Sequence, residues 1–264
     1  MKIVTIYDGT LHAKKALHYG IHRVQESGGE LVLLQVFDRS AFIDYDAGPG
    51  AVQMAKAEMA VHLDWAKRHL EEHAAGLRVR MITEEGDTIA RALHHAEAEH
   101  ADLLLAPPKY QAVRMSAACP VRVIPGPILV PLDNTGSPAA GSEDVVRDAM
   151  LTGSPVLLLG VVPVHLYSRG EKQELEAVRK ATSASVRRMK ELLAGRGVEV
   201  RDSIRSGYPD EEILKAAEEF NVSLIMLPAG GITPSELTKA SVILLEEAPR
   251  QHWVISLLPA ESAA

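Results

Sequence analysis

Apolar and polar positions along the chain follow two periods that alternate. Ile3, Val4 and Ile6 make a short β-type run. Ala13, Ala16, Leu17, Gly20, Ile21 and Val24 then recur at helical spacing, and Ser27-Gly28-Gly29 stops that helix. Leu31 to Phe37 is nearly continuous in apolar residues, the mark of a strand buried on both faces. A stretch rich in Asp and Gly leads to Gly50. The spacing of Val52, Ala55, Met59, Leu63, Ala66 and Leu70 predicts a helix over 51–75, ended by Gly76. Strands are expected at 77–83, 102–106 and 121–124, with a helix over 88–100 opened by Gly86-Asp87. Pro107-Pro108 breaks the fourth strand, and Pro125-Gly126-Pro127 marks a boundary.

The order then repeats. Asp8, at the end of the first apolar run, pairs with Asp133 at the end of Pro127-Ile128-Leu129-Val130-Pro131-Leu132, an offset of 125. The helical face from Val52 to Leu70 pairs with Leu175, Val178, Thr182, Val186, Met189 and Leu193, each at an offset of 123. Gly76 pairs with Gly197, Gly86 with Gly207 and Pro107 with Pro228, each at 121. Val123 pairs roughly with Ile255, an offset near 132, so the first half is expected to lack about 11 residues between its fourth and fifth strands. A fixed-period match of this kind is the signature of internal duplication. Two domains are expected, 1–125 and 127–259.

Strands alternating with helices predict an α/β fold: two tandem open, twisted parallel sheets with helices on both faces. In such sheets ligands bind beyond the carboxyl ends of the strands, where strand order reverses. Asp8 and Asp133 are therefore placed at the two crevices.

Composition narrows the class. With only 3 Phe and 2 Trp in 264 residues, aliphatic side chains must build the interiors. Residues 1–126 hold 14 basic and 16 acidic groups, and 127–264 hold 14 and 19. Neither half has the basic excess that a sequence-independent grip on phosphate backbones requires, so no nucleic-acid partner is expected. A single cysteine, Cys119, excludes an internal disulfide. The opening MKIVTIYDGT lacks a signal-peptide layout, and its apolar run is too short to cross a membrane. A cytoplasmic protein with no membrane partner is expected.

The residues carry a family resemblance. Asp8-Gly9-Thr10, Ala16-Leu17, Gly28-Gly29-Glu30-Leu31 and the strand to Val36 resemble the opening of a universal stress protein domain. Gly207-x-Pro209-x-x-x-Ile213-x-x-x-Ala217, followed by Ser223-Leu224-Ile225-Met226, is similar to that family's third helix and fourth strand. The resemblance covers nearly the whole chain as two domains. It implies a fold of the adenine nucleotide alpha hydrolase-like type and dimers through the fifth strands. In a tandem chain, Val121–Ile124 and Trp253–Leu257 would form an intramolecular pseudo-dimer, with a homodimer as the other arrangement. It also implies that some members bind ATP through Gly-x-x-Gly-x9-Gly-Ser/Thr after the fourth strand. Glycines there let backbone N–H groups approach phosphates, and the hydroxyl adds a donor.

Both halves depart from that signature. The first reads Ala106-Pro107-Pro108-Lys109-Tyr110-Gln111, with no glycine, and its prolines supply no N–H. The second reads Leu227-Pro228-Ala229-Gly230-Gly231-Ile232-Thr233, then Lys239-Ala240-Ser241. Either alignment of this stretch loses at least one required glycine. The resemblance implies a degenerate site for ATP or AMP in the second domain, with Gly230, Gly231, Thr233 and Ser241 near phosphates and Asp133 near the ribose. Asp8 has two readings, a ribose contact or a cap for the first helix, and the structural one is favoured because the facing loop is short.

Other candidates read as structural. Ser27-Gly28-Gly29 follows a helix and not a strand, unlike the phosphate motif it resembles. His62, Trp65, His69 and His73 lie near one side of the second helix, and His94 adjoins His95. The i, i+4 pair His69–His73 has metal-ligand spacing but lies in a charged stretch, so a solvated face and no metal are expected. Cys119 reads as a buried thiol. Arg187, Arg188 and Lys190 read as solvated surface. Binding or regulation in a stress response, without catalysis, is the leading expectation, and no catalytic residue is assigned. A slow nucleotide hydrolase and a ligand-free interaction protein are the alternatives.

Overall fold

The structure is a computed structural model that describes residues 1–38, 49–132, 141–168, 170–227, 233, 235–237 and 254–257. The chain divides into two units, Met1–Pro125 and Gly126–Ala264. In the first, elements run β1 (Lys2–Ile6), α1 (Leu11–Ser27), β2 (Glu30–Phe37), α2 (Pro49–His73), β3 (Arg78–Glu85), α3 (Thr88–Ala98), β4 (Leu103–Ala106) and β5 (Val121–Val123). A 3-10 helix, Pro108–Met115, links β4 and β5. In the second unit they run β6 (Ile128–Leu132), α4 (Ser142–Thr152), β7 (Val156–Val162), α5 (Lys172–Gly195), β8 (Val200–Ser206), α6 (Pro209–Glu219), β9 (Leu224–Leu227) and β10 (Val254–Leu257).

Each unit holds one five-stranded parallel sheet. The orders are β3-β2-β1-β4-β5 and β8-β7-β6-β9-β10, the same path twice. The first strand of each sheet is central because both of its edges are paired. Ile3 faces Leu31 on one side and Leu103 on the other, and Leu129 faces Leu157 and Ile225. The chain leaves that strand in one direction and returns to its other side. The reversal opens a crevice beyond the carboxyl ends of β1 and β4, and of β6 and β9.

Both faces of the central strands are buried, as their unbroken apolar runs require. In the first unit Val4, Ile6, Val32, Leu34 and Leu104 pack with Ala92 and Ala96 of α3 and with Val113 and Cys119. On the opposite face α1 comes close at Gly20, where an added Cβ would stand 3.0 Å from Leu31. In the second unit Val130, Leu158 and Met226 pack with Val145, Val186 and Met189. Leu129, Leu159 and Ile225 pack with Ile213 and Ala217 of α6. Burying each such aliphatic side chain stabilises its unit by roughly 1.5–3 kcal/mol. Gly160 of β7 lies directly under α5, with Thr182 Cγ2 only 2.7 Å from where a Cβ would stand.

The helix boundaries follow local chemistry. Thr10 caps α1, its hydroxyl accepting the Ala13 N–H at 3.2 Å. Gly28 ends it at φ +69°, the left-handed conformation expected of the Ser27-Gly28-Gly29 stop. Asp87 caps α3 by accepting from Ala90 N–H at 2.6 Å. The face predicted for α2 is covered unevenly: Ala66 and Leu70 are buried, whereas Val52, Ala55, Met59 and Leu63 are half-buried. The matching face of α5 is better covered, with Thr182, Val186, Met189 and Leu193 all buried. Cys119 is buried, and burial pushes its thiol above the usual range. Lys190 pairs with Asp202 at 2.6 Å on the surface.

Candidate functional site

At the carboxyl end of β1 the chain turns through Tyr7, Asp8 and Gly9 into α1. Asp8 Oδ1 accepts from the Thr10 N–H at 3.1 Å and from the Thr10 hydroxyl at 2.6 Å. The capping reading of Asp8 is thereby corrected: Thr10 is the cap, and Asp8 holds Thr10 in place. The sequence could have shown this, because Thr10 stands immediately before the helical pattern. Asp8 Oδ2 is buried, and among the described residues no group donates to it. A buried carboxylate oxygen without a donor is costly, and a ligand hydroxyl is one group that could satisfy it.

Two tyrosines lie near enough to feel the Asp8 charge. Tyr110, on the 3-10 helix after β4, has its phenol raised above the usual range by burial first and by the Asp8 charge second. Its hydrogen bonds with Lys109 and Thr88 act the other way. Tyr7 is 1% exposed and donates to the His62 carbonyl at 3.1 Å. Its phenol too is raised, by burial and then by Asp8. The His62 ring lies on Gly9. A Cβ at Gly9 would stand 1.9 Å from His62 Nδ1, and φ there is +79°. His62 and Tyr110 thus occupy the mouth of the first crevice, which neither hydropathy nor spacing signalled.

The loop after β4 offers little to a polyphosphate. Pro107 and Pro108 have no N–H, and the Tyr110 N–H is used on the Pro107 carbonyl at 2.9 Å. Lys109 is the basic side chain beside Tyr110, its Nζ 5.1 Å from the ring centre. Chemically, the first crevice can accept a bond from a hydroxyl at Asp8.

In the second unit, Asp133, Gly230, Gly231 and Ser241 lie outside the described residues. Thr233 is described, and it is engaged. Its N–H and hydroxyl both donate to a Glu236 Oε2, at 2.8 and 2.7 Å. The Glu236 N–H returns a bond to the Thr233 hydroxyl at 3.3 Å. This reciprocal pair is a capping box, and Thr233-Pro234-Ser235-Glu236 announces it in the sequence. Thr233 therefore opens a helical turn, which the sequence reading passed over.

The second crevice has a further feature at the same end of its sheet. After β7 comes His165, and before α6 comes Tyr208. Their rings stack at 4.0 Å and 20°. Tyr208 is 52% exposed. It stands where the first unit has Asp87, at the repeat offset of 121. Asp87 caps its helix, whereas Tyr208 makes no side-chain cap bond and leaves that task to Pro209 at the first helical position.

The expectation of a solvated histidine face on α2 holds for His73, which is exposed, and is corrected for the rest. Trp65 and His69 are half-buried, and their rings stack at 4.7 Å and 12°. Lys14 lies over Trp65 at 4.5 Å. Among the described residues no helix is long and apolar enough to cross a membrane.

Comparison with known proteins places this geometry. The family model described as the universal stress protein family matches residues 1–107 and again 126–243. No curated protein matches the chain. Among solved structures, a universal stress protein from Archaeoglobus fulgidus DSM 4304 is 17% identical, over 97% of this chain and 97% of that one, with a TM-score of 0.41. Universal stress protein UspA from Lactobacillus plantarum is 19% identical, over 52% of this chain and 99% of its own, at 0.42. A universal stress family protein from Burkholderia pseudomallei is 21% identical, over 47% and 96%, at 0.37. With both segments matched by the family model, the chain belongs to the universal stress protein family, carrying two copies of its domain in tandem.

Proposed function

We propose that the protein acts in a stress response by binding and not by catalysis, and that it takes an adenine nucleotide weakly, at the second domain alone. Asp133 would accept from the ribose hydroxyls. Gly230, Gly231 and Ser241 would face the phosphates. Thr233 supports that loop through its capping box and does not donate to phosphate itself. Asp8 keeps a mainly structural role, through Thr10.

The observation that carries this reading is the contrast between the two crevice mouths. In the first, His62 lies on Gly9, Tyr110 lies within reach of the Asp8 charge, and a Pro-Pro step replaces the glycines. In the second, an exposed Tyr208 stacked on His165 stands at the carboxyl end of the sheet. A flat aromatic surface suits a nucleobase, and stacking of this kind contributes about 1–3 kcal/mol per base. The retained length of the second loop, with its two glycines, supports the same assignment.

Calorimetric titration with AMP and with ATP tests it. Binding weaker than micromolar is expected for the wild type. Asp133→Ala should abolish it, Tyr208→Ala should weaken it by about tenfold or more, and Asp8→Ala should leave it unchanged. Binding that survives Asp133→Ala but is lost with Asp8→Ala would overturn the assignment. Steady ATP turnover abolished by Asp133→Ala would replace binding with hydrolysis.

A further inference from the structure

Away from the crevice, α1 and α2 bring four histidines together. His18 and His22 are one turn apart on α1, and His69 and His73 are one turn apart on α2. The ring centres of His18 and His22 are 4.8 Å apart. Those of His18 and His69 are 5.5 Å apart, and those of His18 and His73 are 6.0 Å apart. The His69 and His73 rings stack at 4.2 Å. Gln25 ties the helices at this point, donating to the His73 carbonyl at 2.9 Å.

Chance clustering of surface histidines does not account for the nitrogens. His18 Nδ1 and His69 Nε2 are both buried, and among the described residues neither has a hydrogen-bond partner. A neutral imidazole nitrogen buried without a donor or acceptor opposite is an unsatisfied group. His73 Nδ1 lies 3.0 Å from the His69 carbonyl, an atom that can only accept. Nδ1 must therefore carry the proton, which leaves the Nε2 lone pair free. That is the arrangement in which a backbone carbonyl, bonded to the far ring nitrogen, orients a metal-binding imidazole. Glu72, 3.9 Å from His73, offers charge compensation, and Lys14 is held over Trp65.

We propose that His18, His22, His69 and His73 form a binding site for a Zn2+ ion. Two imidazoles on one tetrahedral Zn2+, with Zn–N near 2.0 Å, place their ring centres about 5 Å apart. The measured separations bracket that value. In the structure the four rings have not closed on a common point: among the described residues no three His, Cys, Asp or Glu side chains are placed to hold a metal. Binding would require the imidazoles to rotate toward a common point. His22 and His73 are exposed, and His73 stays tied through Nδ1 to the His69 carbonyl. His69 is flanked by the Trp65 ring, which fixes one side of the site.

Titration of the chelator-treated full-length protein with ZnCl2 alone tests the proposal. One Zn2+ per chain is expected, with X-ray absorption showing a nitrogen-dominated shell at about 2.0 Å. His18→Gln with His69→Gln should lower affinity by about 100-fold or more, beyond the effect of removing an outer-shell partner. Because those two are half-buried, His22→Gln with His73→Gln provides a second variant at exposed positions. It should retain the wild-type circular dichroism and bind about tenfold or more weakly. No saturable uptake by the wild type, an oxygen-only shell, or unchanged affinity in the second variant would overturn the site.

Discussion

Asp8 shows how one carboxylate divides its duties. One oxygen binds Thr10 twice, and the other is buried without a donor. The helix start depends on Thr10, so Thr10→Ala should destabilise the first unit by about 1 kcal/mol, read by chemical denaturation. Gly9 is constrained on both counts that matter for glycine, a φ of +79° and a ring against its Cα. Sequence placed Asp8 at the strand end because apolar periodicity stops there. It gave the wrong partner for the carboxylate, since a side chain two residues away intercepts it. His62 and Tyr110 could not be anticipated at all. Their positions depend on how α2 and the 3-10 helix close over β1, which no local pattern encodes.

At the scale of elements, most of the fold was legible. Continuous apolar runs predicted buried parallel strands, and observed bounds differ from expectation by a few residues: α3 runs Thr88–Ala98 where 88–100 was expected. Less legible was how tightly elements approach. Gly160 allows α5 to rest on β7, and Gly160→Ala should destabilise the second unit by about 1–3 kcal/mol through overpacking. A second prediction concerns charge linking β1, β2, β3 and the end of α3. Arg80 donates to Glu30 and to Glu99, both at 2.6 Å, and Lys2 donates to Glu99 at 3.0 Å. The Arg80 and then the Lys2 hydrogen bonds hold the Glu99 carboxyl at about 2, and Arg80 lowers that of Glu30. Depressed carboxylates bind fewer protons folded than unfolded. Their stabilisation is therefore present above the ordinary value near 4.5 and is lost as pH falls through about 2. Denaturation midpoints of the first unit should fall across that window, and Glu99→Gln should flatten the slope. The pair groups are partly exposed, so added salt should weaken the effect.

For the whole molecule, duplication preserved the path of the chain and not the crevices. Both sheets have the same strand order, and both central strands are paired on two sides. The link from β4 to β5 has 14 residues, 107–120, and that from β9 to β10 has 26, 228–253. Asp87 caps one helix where its counterpart Tyr208 presents a ring. The repeat was readable because buried strands tolerate few residue types, which keeps offsets regular. The site was only partly readable, because a binding loop is defined by backbone N–H groups and glycine torsions that the side-chain sequence records indirectly. The proposed nucleotide site lies in one domain only. Native mass spectrometry of the full chain with AMP counts the ligands directly. One nucleotide per chain, absent from Asp133→Ala and present in Asp8→Ala, is the predicted result. Two nucleotides per chain, or one that persists in Asp133→Ala, would contradict it.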